Sequence, residues 1–155
     1  MSRVSSGVCA AIGELPLPVD WSRVRLYGSE CGRAAGLVRR VVLGLSRGRA
    51  VALGNHVFLP AWCEGDLATL AHEVIHCAQY QAWGPWRYLT RGAVAQLRDL
   101  AHRMFGVGRS PYAYAPTPGR PFDAYGMEQQ AQIVEDALRG NVAARAITSG
   151  SAPAS

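Results

Sequence analysis

The sequence predicts an α+β domain in which a small sheet packs on a helix bearing a metal-binding pattern, with a C-terminal helix completing the site. Two local patterns and one motif predict it. β-Formers flank the turn pair Gly54-Asn55 as in a hairpin, and apolar residues recur at helical intervals through several later segments. Inside the most strongly helical of these lies His72-Glu73-Val74-Ile75-His76. At 155 residues, the chain is long enough for one core and too short for two.

The stretch to Pro18 reads as a loop, and Val19 to Tyr27 alternates like a short strand. From Gly32 to Leu45, Leu37, Val38, Val41, Val42 and Leu45 share one face opposite arginines, which predicts an amphipathic helix packed on a sheet. Ala50 to Leu59 reads as a strand or hairpin that Pro60 ends. Asp66 is the expected N-cap of the next helix, whose stripe Leu67, Leu70, Ala71, Val74, Ile75 and Ala78 stops at Gly84-Pro85. A further helix spans Trp86 to Phe105 with Val94, Leu97, Ala101 and Met104 on one face, and Gly106 and Gly108 punctuate its end. The Pro- and Tyr-rich segment 109–126 reads as a long loop, followed by a helix from Met127 to Arg139. The expected organisation is thus an N-terminal loop over 1–18, a domain over 19–140 and a flexible tail over 141–155.

Composition narrows the function classes. The net charge of +5 is carried by arginine alone, and the arginines are scattered rather than clustered with aromatics, which argues against nucleic-acid binding. No apolar run reaches membrane-spanning length. Met1 to Gly13 lacks the charged head and apolar stretch of a secretory signal, so synthesis in the cytoplasm without a Sec address is expected. The four cysteines show no CxxC spacing and are expected to be free thiols.

The HExxH pattern carries the chemistry. Residues four apart on a helix lie one turn above each other, so the imidazoles of His72 and His76 point the same way and can grip one Zn2+. Glu73 stands beside them as general base for water activated by the ion, and can later hand a proton to the leaving amine. Two histidines on a helix can instead merely bond carbonyls or water. A structural site using Cys63, Cys77, His72 and His76 is a further alternative, opposed by Cys77 pointing about 100° away from His76 around the helix. A catalytic zinc needs a third protein ligand. Gln79 and Ala82 stand where an extended HExxHxxGxxH pattern would need glycine and histidine, so the ligand must come from downstream. Glu128, in the first turn of the last helix, is the first candidate and Glu135 the second, although an acid at a helix N-terminus also favours the dipole without any metal. Tyr125 is the candidate oxyanion donor, ahead of Tyr112, Tyr114 and His102. Gln79 or Tyr80 is a candidate for positioning the active helix.

Three stretches, 19–25, 50–58 and 70–79 around Leu70-Ala71-His72-Glu73-Val74-Ile75-His76-Cys77-Ala78-Gln79, together resemble the zinc metallopeptidase domain associated with bacterial extracellular contractile injection systems. Glu128 to Asp136 resembles the glutamate helix of those proteins, so the similarity covers about 19–139. Cys77 stands where that family more often has valine. The resemblance implies a zincin-like, gluzincin-type minimal fold, a peptide or protein substrate and Glu128 as third ligand. It also implies an edge strand including His56 to Leu59 along which substrate lies, association with an injection or secretion apparatus, and export by a non-Sec route. A zinc-stabilised, non-catalytic binding or cargo domain of such an apparatus is the alternative function.

Overall fold

A computed structural model describes residues 2–105, 110–117 and 119–150; Gly106, Gly108 and positions 151–155 of the expected tail lie outside the described residues. The fold is α+β. Strands β1 (Ser2–Arg3), β2 (Arg25–Tyr27), β3 (Val51–Leu53) and β4 (His56–Phe58) form one sheet in the order β1-β2-β4-β3. The β3–β4 hairpin turns at Gly54-Asn55 as expected, with Ala52 opposite Val57. Gly54 adopts φ 63°, and a Cβ there would meet the Tyr80 ring at 3.4 Å, so the turn and its packing both favour glycine. β4 is central: it pairs parallel with β2 and antiparallel with β3.

Helices α1 (Ser6–Ile12), α2 (Arg33–Leu45), α3 (Leu67–Phe105), α4 (Met127–Leu138) and α5 (Val142–Thr148) complete the chain. Gly84, at φ 77° and ψ 169°, breaks α3 into two halves just ahead of Pro85, where the sequence places the boundary between two helices. The first half buries Ala71, Val74, Ile75 and Ala78 completely. Its main partner is α4, which contributes the buried Ala131, Ile133 and Val134. Each large aliphatic side chain enclosed there stabilises the fold by about 1.5–3 kcal/mol. Among the described residues, no helix is long and apolar enough to cross a membrane.

Several expectations need correction. The predicted N-terminal loop holds β1 and α1; α1 is capped by Ser5, whose hydroxyl accepts from the Val8 N–H, and it buries Ile12. The predicted tail holds α5, capped by Asn141 and packed on α4 through the fully buried Ala144. Both elements are only seven residues long and rich in small residues, so they carry little periodicity. The alternation from Val19 yields a strand only at Arg25–Tyr27, because Asp20 accepts from the Ser22 N–H and hydroxyl and turns the chain. Finally, α2 and the second half of α3 do not bury their apolar faces: Leu45 is 83% and Leu97 65% exposed.

Candidate metal centre

The site begins with the cap of α3. Asp66 accepts from the backbone N–H groups of Ala68 and Thr69 at 3.0 and 3.3 Å and from the Thr69 hydroxyl at 2.8 Å, so the helix starts as expected. His72 and His76 then lie one turn apart, their ring centroids separated by 5.2 Å. Opposite them, α4 starts at Gly126, whose N–H donates to the Gln129 side chain, and presents Glu128 in its first turn.

The carboxylate meets both rings. Glu128 Oε2 lies 3.9 Å from His72 Nε2 and 3.4 Å from His76 Nε2, with side-chain exposures of only 8–12% across the three. One ligand atom from each residue falls within 4.8 Å of the other two, and this is the group among the described residues that could hold a metal ion. The spacing suits an ion. A tetrahedral centre with bonds of about 2.0–2.1 Å separates its ligand atoms by about 3.3 Å, whereas a direct charge-assisted N–H···O bond would close to about 2.8 Å.

Glu135 takes a different place. Its Oε2 stands 3.0 Å from His72 Nδ1, the nitrogen facing away from Glu128, as an ion-pair approach without the alignment of a hydrogen bond. Its Oε1 receives Arg139 at 3.0 Å, and Arg139 also reaches Asp66 at 2.6 Å. The first-choice carboxylate therefore faces the two Nε2 atoms, and the second choice backs the first ring. His76 has its own support: its Nδ1 lies 2.9 Å from Gln79 Oε1. Gln79 stands three residues after His76 on the same helix, so its reach was readable from spacing; the inward turn of Gln130 was not.

Electrostatics follow from this crowding. Burial opposes charge on His76, yet Glu128, Glu73 and Gln79 raise its pKa to about 9. Burial likewise works against a charged Glu128, but His76, then His72 and Arg49, hold it below the usual carboxylate range. His72 lowers Glu135 in the same sense. Glu73 moves the other way: burial raises it, only partly offset by His76, His72 and the Ala52 backbone N–H.

Glu73, His72, His76 and Glu128 share the floor of a groove of about 930 Å³. One wall is β3 with Arg47, Arg49 and Trp62; the other is the second half of α3, including Leu89, Leu97 and Asp99. The edge strand beside the site is thus β3, not the His56 to Leu59 stretch, because β4 is paired on both sides. The outward groups of Ala52 on that edge are engaged, its carbonyl accepting from the Tyr88 hydroxyl at 3.1 Å and its N–H facing Glu73.

The tyrosines sort themselves. Tyr125 is core: it is 4% exposed, its hydroxyl accepts from the Thr117 N–H at 3.2 Å, and Arg120 sits 4.3 Å over its ring. Tyr114 donates to Asp136 at 2.7 Å. Of the three candidate tyrosines, Tyr112 is the one brought into the groove, its ring centroid 6.4 Å from that of His72, and Tyr88 lines the groove as well. His102 is on the second half of α3 and does not line the groove. The cysteines are not part of the converging group, which is His72, His76 and Glu128 among the described residues, and Cys63 aims its thiol at the Pro60 carbonyl. All four cysteines are free thiols. No protein-family model matches the chain, and neither a curated protein nor a solved structure shows significant similarity to it.

Proposed function

We propose that the protein is a zinc-dependent peptidase of zincin-like fold, with His72, His76 and Glu128 as metal ligands and Glu73 as general base. The observation carrying this reading is the convergence of two Nε2 atoms and one carboxylate at 3.4 and 3.9 Å, with a second carboxylate beside them. Two imidazoles and a carboxylate form the donor set of catalytic zinc sites that keep one position open. Zinc bound there supplies a Lewis acid that makes water a nucleophile near neutral pH.

The chain's own groups do the remaining work. Burial keeps Glu73 more basic than an exposed carboxylate, which suits a group that takes a proton from water and returns it to the leaving amine. Glu135 and Gln79 hold the rings from behind. The groove between β3 and the second half of α3 receives the polypeptide. The resemblance to the metallopeptidase domain of contractile injection systems supports the same reading and adds an injection or secretion apparatus as partner.

The test is Glu73→Gln. It should keep about one zinc per chain while lowering peptide cleavage by about two to four powers of ten; cleavage that survives unchanged rules out this mechanism. A second reading has its own support, in that α2 contains no buried residue and the second half of α3 exposes Leu97 and Phe105 at 65% and 71%. Such surfaces suit a zinc-stabilised, non-catalytic domain that docks on a larger assembly. An uncleaved peptide library together with tight binding to a secretion component would select it.

A further inference from the structure

We propose that Gln79 fixes which ring nitrogen of His76 faces the metal, and that the orientation of Gln79 is itself dictated by backbone carbonyls. The proposal deepens the metal reading of the triad, yet it stands on a hydrogen-bond chain that can be traced atom by atom.

The chain starts in the turn before α4. The side-chain Nε2 of Gln130 donates to the Tyr125 carbonyl at 3.0 Å and to the Asp123 carbonyl at 3.4 Å. A carbonyl oxygen only accepts, so the Gln130 amide nitrogen must face these two groups and its Oε1 must face the other way. There it accepts from Gln79 Nε2 at 2.9 Å. The same Gln79 nitrogen donates its second hydrogen to the Met127 carbonyl at 3.0 Å. Both hydrogens of the Gln79 amide are thereby used, and its Oε1 is left facing His76 Nδ1 at 2.9 Å. An amide oxygen demands a donor, so Nδ1 carries a proton in either charge state, and Nε2, on the Glu128 side, is the nitrogen that offers its lone pair once the ring is neutral.

Flipping either glutamine sets oxygen against carbonyl oxygen. Water cannot repair that mismatch, because Gln79 is fully buried and Gln130 is 2% exposed. Two neutral amides thus transmit the polarity of three carbonyls to the imidazole. His72 is held differently, by a carboxylate that Arg139 also contacts. Gln79 is therefore a positioning residue that acts through His76, and it joins α3 to α4 at the point where each supplies a ligand.

The test is imidazole 15N–1H spectroscopy of metal-free and zinc-loaded protein, wild type beside Gln79→Met. In wild type, His76 should show an Nδ1–H protected from solvent exchange in both forms. Gln79→Met, similar in volume but unable to accept, should lose that protection and bind zinc about 10- to 100-fold more weakly. A wild-type His76 without a protected Nδ1–H, or with zinc on Nδ1, overturns the proposal, and so does equal zinc affinity in folded Gln79→Met. The two readings fail separately: a protected Nδ1–H in a protein that binds no zinc sinks the metal site alone, whereas zinc bound without that protection sinks the relay alone.

Discussion

The two halves of α3 carry similar apolar stripes and meet opposite fates. Before Gly84, Val74, Ile75 and Ala78 are completely buried; after it, Val94, Leu97 and Met104 are 48%, 65% and 64% exposed. The difference is the neighbour. The first half has α4 across from it, with Ala131, Ile133 and Val134 of that helix buried in the same core, and the second half instead borders the groove. Helical periodicity says which side of a helix is apolar, and tertiary contact decides whether that side is covered. The half that is covered is also the half that carries both histidines, so a packed and well-supported surface lies under the proposed ligands.

That contrast can be broken from either side. The largest effect is expected in the covered half: Ile75→Ala should cost about 2–5 kcal/mol in chemical denaturation, since Ile75 is completely buried there. A second, reversible effect reports the charges gathered at the site. In metal-free protein the raised pKa of His76 contributes stability that is complete below its ordinary value of 6.5 and lost as pH rises through about 9. The raised Glu73 adds loss in the same direction, while the lowered Glu128 contributes stability above 4.5 that disappears in acid. Thermal melting of the metal-free protein should therefore peak between pH 4.5 and 6.5 and fall toward pH 9. A melting temperature that rises over the alkaline range contradicts this charge balance. The smallest effect belongs to the uncovered half: Leu97→Ser should shift stability by no more than about 0.5 kcal/mol. A larger loss would mean that this face packs against something in solution.

The same contrast explains what the sequence disclosed. The hairpin at Gly54-Asn55, the Asp66 cap and the break at Gly84-Pro85 were legible because each rests on local chemistry: a positive φ, a carboxylate beside free N–H groups, a missing donor. The HExxH pair was legible for the same reason, as one-turn spacing on a helix. The sequence ranks Glu128 ahead of Glu135 without excluding the second, because they lie two turns apart on nearly one face of α4. Only the tertiary placement sends one to the Nε2 atoms and the other to Nδ1 of His72. The position of Tyr125 in sequence just ahead of α4 makes it the expected oxyanion donor, yet its ring turns into the core, and Tyr112 from the preceding loop enters the groove instead. The exposure of α2 was hidden too, since its stripe of Leu37, Val38, Val41 and Leu45 reads the same whether or not anything covers it.

Whether His72, His76 and Glu128 together hold one zinc ion can be read from X-ray absorption at the zinc edge of the loaded protein. The spectrum should show a shell of nitrogen and oxygen at about 2.0–2.2 Å with the outer scattering of two imidazoles, losing one light-atom ligand in Glu128→Ala and keeping the shell intact in Glu135→Ala. A sulfur shell at about 2.3 Å, or a spectrum unaltered by Glu128→Ala, would contradict it.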